Sequence, residues 1–207
     1  MDVTEPPTPV SARTRGRLAT RARLVRSARE LFAERGLLRV TSHDIARRAG
    51  VAAGTFYLHF RDKETLFQEF VYEAIEALQA QLEITMESAV DAPAGIRAQA
   101  EALTAFAEAN RDIVLIVFGP DSAIAGLESD VLDFMSAHAT EVLKHRADAG
   151  ALRSDVDPAV TAQALVGMSA RVVAWWIEDP TRATREAVID TLTNIQLSGT
   201  QPQRAKQ

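Results

Sequence analysis

The sequence predicts an all-α protein of about nine helices, and three observations carry that expectation. Apolar residues recur at intervals of three and four, as in Leu24, Ala28, Leu31 and Phe32, the spacing that lines one side of an α-helix. Glycine and proline interrupt these stretches where helices should stop and start, at Gly36, Gly50, Pro93, Gly119-Pro120, Gly150, Pro158 and Pro180. No run alternates convincingly enough to make a strand, and no segment repeats. The expected architecture is an N-terminal three-helix module with a helix-turn-helix, joined by one long helix to a C-terminal helical body.

Residues 1–12 contain three prolines and little that can pack, so they read as a disordered arm. Arg13, Arg15 and Arg17 extend it, either reaching a minor groove or phosphate, as homeodomain arms do, or adding non-specific affinity as a basic tail. A first helix over about 17–36 ends at Gly36. Two short helices follow on either side of Gly50, the second over 52–59. A long helix runs from about Lys63 to Ala89, with Leu66, Phe67, Phe70, Ile75, Leu78, Leu82 and Met86 near helical period. Pro93 opens a helix to about Asn110, and Ile113–Phe118 stops at Gly119-Pro120. Leu127–Ala149 puts Val131, Phe134, Met135, His138, Val142 and Leu143 on one side. The segment from Pro158 to about Glu178 is apolar almost all round, which predicts burial on every side. A last helix, about Ala183–Leu197, aligns Val188, Leu192 and Ile195. The resulting division is an arm 1–12, a module 13–62, a body 63–198 and a frayed tail 199–207.

The 47% apolar content suffices for a core. The absence of cysteine excludes disulfides and thiolate metal sites and suits a reducing, cytoplasmic setting. No uninterrupted apolar run approaches bilayer-spanning length, and the first residues lack a signal-peptide core, so no membrane partner is expected. The net charge of −5 is unevenly spread. Residues 1–63 hold 13 Lys/Arg against 6 Asp/Glu, and residues 64–207 hold 10 against 22. A basic end on an acidic body is the footprint of a chain that meets nucleic acid at that end.

The stretch 41–66, TSHDIARRAGVAAGTFYLHFRDKETL, is the most informative. Thr41 and Asp44 are spaced as a short capping box. Ile45, Ala46 and Ala49 form an inward stripe, and Gly50 supplies a left-handed turn. Phe56 and Phe60, four apart, face inward and leave Ala53, Gly54, Thr55 and Tyr57 pointing outward. So little bulk on that face lets a helix lie close to base edges in a DNA major groove.

The pattern Thr41, Asp44-Ile45-Ala46, Ala49-Gly50-Val51, Gly54-Thr55-Phe56-Tyr57, His59-Phe60, Lys63 and Leu66 resembles the DNA-binding end of TetR/AcrR-type transcriptional regulators. The resemblance covers about residues 17–68. It implies phosphate contacts from Thr41 and Ser42 at a helix start and from Tyr57, His59 and Lys63. Base reading would fall to Ala52, Ala53, Thr55 and also Tyr57, beside the outward-facing Gly54, with short side chains suited to thymine methyls and His43 and Arg47 as further candidates. Ala52 and Ala53 depart from the family's usual Ser and larger polar residue. That departure removes a hydroxyl cap and weakens any carry-over of sequence preference.

The resemblance further implies a homodimer on a palindromic double-stranded operator. Val131 and Val142 on one helix and Val188, Leu192 and Ile195 on the last would make a self-complementary interface, or else pack within one chain. A small, largely apolar effector is the other implied partner. Leu103, Phe106, Ile116, Phe118, Phe134, Met135, Met168, Val172 and Trp175 would line its pocket, or simply form core, with His138 or Arg171 as polar anchor. Trp175 and Trp176 cannot both face the same side.

No Gly-x-Ser-x-Gly elbow and no phosphate-cradling glycine loop is present, so no enzyme, catalytic residue or cofactor is expected. His138, Glu141 and His145 share a helix side without a further ligand, which argues against a metal. The expected function is a dimeric DNA-binding regulator, a repressor released by its effector. The competing expectation is a helical protein-interaction module with a vestigial DNA-binding motif.

Overall fold

The computed structural model describes residues 12–120 and 124–200, and every regular element among them is helical. The helices are α1 Ala12–Arg35, α2 Ser42–Arg48, α3 Ala53–Tyr57, α4 Lys63–Glu87, α5 Ala92–Ala109, α6 Arg111–Phe118, α7 Leu127–Asp148, α8 Pro158–Glu178 and α9 Arg185–Thr200, with a 3-10 turn at Leu37–Arg39. The chain divides into two compact units between Glu69 and Phe70.

In the first unit, α1 contributes Leu24, Ala28, Leu31 and Phe32 to the core, all buried. Leu37, Val40, Ile45, Ala46, Phe56, Phe60, Leu66 and Phe67 complete it. Phe32 and Phe67 meet edge to face at 5.7 Å, a favourable ring geometry. Arg48 of α2 bonds Glu34 of α1 at 2.7 Å and Glu30 at 3.4 Å, tying the two helices at the surface.

Helix α1 begins at Ala12, about a turn and a half before the expected start. Its first residues have no apolar stripe to betray them, yet Ala and Arg are good helix formers and no proline intervenes. The expected arm therefore gives way to helix from Ala12 onward, and Arg13, Arg15 and Arg17 stand on it; residues 1–11 lie outside the described residues. Helix α3 is shorter than the expected 52–59. The Leu58 and His59 amides bond carbonyls three residues back, at Thr55 and Phe56, and so tighten the last turn out of α-geometry.

In the second unit, α8 is central and packs on α5, α6, α7 and α9. Ala100, Ala107, Val114, Val173, Ala174, Trp176, Ile177, Val188, Ile189 and Leu192 form its main buried cluster, and Leu143, Leu152 and Ala162 a smaller one. Asp91 caps α5 by accepting from the Ala94 amide, and Asp157 caps α8 by accepting from Ala159 and Val160. Arg111 donates to the Ile177 and Glu178 carbonyls at the C-terminus of α8. Helix α9 runs on to Thr200, so the expected frayed tail is helical at Gly199 and Thr200; residues 201–207 lie outside the described residues.

Helix α8 is not buried on all sides within the protomer. Ala162, Val173, Ala174, Trp176 and Ile177 are buried, but Val160 is 68% exposed and the stretch between is only half-covered. By length and composition α8 is apolar enough to cross a membrane. Its packing on four neighbours and the presence of Arg171 in its run mark it as a core helix with one uncovered face.

Candidate functional site

The helix-turn-helix is built by local rules. At the start of α2, Thr41 Oγ1 accepts from the Asp44 amide at 3.1 Å, and Asp44 Oδ2 accepts from the Thr41 amide at 3.1 Å and from its hydroxyl at 2.7 Å. This is the reciprocal capping box expected from the spacing. Both Thr41 donors are thus engaged by Asp44. The Thr41 hydroxyl is also the first cause of a depressed Asp44 pKa. The Ser42 and His43 amides of the first turn have no partner within the helix.

The turn after α2 closes as a Schellman motif. The Val51 amide bonds the Ala46 carbonyl at 3.0 Å and the Gly50 amide bonds Arg47 at 3.2 Å. Gly50 sits at φ +67°, a left-handed conformation that a side chain would strain.

Helix α3 buries Phe56 completely, and Phe60 just beyond it is buried too, with ring centroids 5.6 Å apart. Around the rest of α3 the surface is small. Ala52 is exposed, and as N-cap it supplies no side-chain bond, the consequence of its departure from serine. Ala53 and Thr55 are half-buried and Gly54 is exposed. A Cβ built on Gly54 would meet no atom within 4 Å, and its φ is not in the left-handed region, so the fold does not require glycine there. Tyr57 is 61% exposed and stands edge-on to Phe56 at 5.4 Å.

His59 is half-buried. Burial, then the positive charges of Arg17 and Arg21, push its pKa down. Arg21 stacks over Phe60 at 5.0 Å and pairs with Glu69. Lys63 is not simply free for phosphate: Nζ donates to the Leu37 carbonyl at 2.9 Å, and Glu64 lies 3.8 Å away. Asp62 caps α4 through the Thr65 amide at 2.7 Å and hydroxyl at 2.6 Å, which hold its pKa down to about 2. The residues proposed for DNA from 41 to 63 therefore belong to one unit and one continuous motif. Arg17, expected with Arg13 and Arg15 as an extension of a disordered arm, stands instead on helix α1, and its charge is one of the causes that lower the His59 pKa.

In the second unit, Leu103, Phe106, Phe118, Met168 and Val172 are half-buried against the main cluster. Ile116 and Met135 are half-buried as well. Phe134 packs edge-on to Tyr72 at 5.4 Å, and His138 Nε2 lies 3.1 Å from Glu83, so these two residues link α7 to α4. Trp175 and Arg171 stand outside this region. Trp175 is 40% exposed under the Arg182 guanidinium, while Trp176, one residue and about 100° round the helix, is buried and donates to the Ala183 carbonyl. Arg171 is exposed.

Of the residues expected at a dimer interface, Val131, Val188 and Leu192 are covered within the protomer. Their apolar stripe is satisfied by the chain's own helices. Val142 is half-buried and Ile195 is 49% exposed. Ile195 instead borders an open groove of about 460 Å³ with Val160, Ala164, Leu165 and Met168 of α8.

Residues 24–70 match the family model described as bacterial regulatory proteins, tetR family. Across most of its length the chain is similar to the HTH-type transcriptional repressor KstR2 of Rhodococcus jostii, 27% identical over 192 residues, covering 89% of this chain and 91% of that protein. It shares its fold with Thermus thermophilus FadR, a TetR-family repressor solved with lauroyl-CoA (TM-score 0.70, 20% identity, 90% of this chain and 98% of that one). It shares it also with FadR of Bacillus subtilis solved with stearoyl-CoA (TM-score 0.67, 18% identity, 86% and 98%). The family model thus falls on the residues that build the capped, glycine-turned helix pair, and the chain carries the DNA-binding region of the tetR family of bacterial regulatory proteins.

Proposed function

We propose that the protein is a dimeric repressor that binds a palindromic operator and leaves it when a small, largely apolar effector enters the body. The observation that carries the reading is Gly54. Its smallness serves no neighbour inside the protein, so it serves close approach from outside, on a face otherwise made of Ala52, Ala53, Thr55 and Tyr57. On this reading α3 lies in the major groove, Tyr57 and His59 meet backbone, and the first-turn amides at Ser42 take a phosphate.

One short helix reads too few base pairs for an operator, so two must act together. The uncovered side of α8, with Val160, Ala164 and Gly167, and the exposed Ile195 of α9 support a second copy as the occupant. The effector is proposed to lodge among Leu103, Phe106, Phe118, Phe134, Met135, Met168 and Val172, and to act by loosening Tyr72 and Glu83 of α4 from Phe134 and His138 of α7. A hundredfold preference for the released form corresponds to about 2.7 kcal/mol of coupling. The acyl-CoA complexes of the two structural relatives make acyl chains the first effector class to test.

Selection of bound fragments from random duplexes tests the reading. A twofold-symmetric site with half-sites about one helical turn apart is expected; a protein that selects no duplex at low salt overturns it. Titrating lauroyl-CoA and neutral apolar compounds into the selected complex then tests release.

A further inference from the structure

The amino-terminal half of α1 carries a charge pattern that the fold does not use. Residues 12–29 contain seven arginines and no acidic residue before Glu30. No side chain from Arg13 to Arg23 is buried, and only Thr20 and Arg21 are half-covered; the core begins at Leu24. The family match also begins at Leu24, so this half of the helix lies outside it. Arginines in a first turn are disfavoured by the helix dipole, and that turn has no acid to offset them. Among the described residues no carboxylate pairs with Arg13 or Arg15 there, so the anion they suit lies beyond those residues.

The helical wheel says where that anion lies. Arg13 and Arg17 fall on the line of Leu24, Ala28 and Leu31, at intervals that return to one side every three to four residues. They continue the core-facing stripe past the point where the core ends. Arg15 and Arg26 fall on the opposite side. Arg17 stands about one turn before Arg21, whose guanidinium lies 5.0 Å from the centre of the Phe60 ring, just after α3. Arg21, the next member of the stripe, is already engaged by Phe60 and Glu69. Arg13 and Arg17 have no ion-pair partner among the described residues.

We infer that Arg13 and Arg17 form a second clamp on the DNA backbone, gripping phosphates that flank the base pairs facing α3. The inference rests on the DNA-binding reading above. A minor-groove insertion is disfavoured by shape: an α-helix is about 10–12 Å across and the groove is about 6 Å wide. A guanidinium standing on a helix surface instead suits phosphate oxygens, which carry no sequence information. The clamp therefore adds affinity and footprint, not sequence preference.

The test compares R13Q/R17Q with the charge-matched R23Q/R26Q, two exposed arginines off that stripe, in the full-length protein. Binding is measured against a duplex carrying the selected site and an unrelated duplex of equal length, over a series of salt concentrations. For R13Q/R17Q the slope of log K against log salt should fall by about two per protomer, with both duplexes weakened by the same factor. For R23Q/R26Q the slope should change by well under one, and circular dichroism should be unaltered in both. An unchanged slope in R13Q/R17Q, or equal losses in the two pairs, overturns the inference while leaving the α3 reading intact. A wild-type protein that binds neither duplex overturns the DNA reading itself.

Discussion

Lys63 reaches back 26 residues to donate its ammonium to the Leu37 carbonyl at 2.9 Å. The bond pins the first residue of α4 to the turn that precedes α2, so the frame around α3 is held from behind. Leu37 also receives the Val40 amide at 3.3 Å, so the carbonyl is not orphaned when Lys63 is removed. Lys63→Met should therefore cost only about 1–2 kcal/mol of stability, at the low end for a bond to a charged group. An ammonium carries three donors, and one bond leaves two for phosphate. The same variant should lower the salt slope of DNA binding by about one. A stability loss with no change in slope would make Lys63 a purely structural tie.

Asp62 gives the unit a specific acid sensitivity. Its carboxylate accepts from the Thr65 hydroxyl and amide, and these bonds hold its pKa at about 2, below the ordinary 3.8. A depressed folded-state pKa means the unfolded chain binds the proton first. The stabilisation is complete above the ordinary value and is lost as pH falls toward the folded value. Asp62→Asn should flatten the stability profile in that acid interval while keeping a cap at α4. Urea melts of both proteins across that interval check it; parallel profiles would mean that the cap is not the sensitive group.

What was legible in the sequence was what local chemistry alone decides. Thr41 and Asp44, three apart, made their box; Gly50 took its left-handed turn; Phe56 and Phe60 went inward. The start of α1 was not legible, because arginines on a helix without a buried side leave no periodic signal. Neither was the Lys63 bond, whose acceptor is a backbone carbonyl far along the chain. The choice between Trp175 and Trp176 needed the Ala183 carbonyl, which the chain brings to one indole only. The stripes on α7 and α9 were visible, but periodicity does not say which neighbour covers them. Val131, Val188 and Leu192 are covered by their own chain.

That distinction changes the choice of variants for the dimer. Leu192→Asp would place a charge in the protomer core and unfold it, whatever the assembly state. Ile195 and Val160 are 49% and 68% exposed, so Asp at either is tolerated by an isolated protomer. If a second copy covers this face, Val160→Asp with Ile195→Asp should give folded monomers whose operator affinity falls by orders of magnitude, since one protomer holds one recognition helix. Sedimentation and circular dichroism separate the outcomes. A dimer that survives the double change would locate the twofold contact away from this groove.

Gly54 offers a variant in which stability and binding should move in opposite directions. Glycine in a helix costs about 0.5–1 kcal/mol relative to alanine, and here the cost has no internal justification. Its φ is not positive and the space beside it is open. Gly54→Ala should leave the melting temperature unchanged or slightly raised, and Gly54→Leu should still fold. A methyl group adds about 1.5 Å to the surface of α3 and an isobutyl group several times that, on the side proposed to approach base edges. Operator affinity should fall modestly for Ala and steeply for Leu, while affinity for unrelated duplex, dominated by phosphate contacts, changes less. Anisotropy titrations against both duplexes measure the two together. Were Gly54→Leu to keep wild-type operator affinity, α3 would not be the helix that enters the groove, and the smallness of its outer face would need another cause.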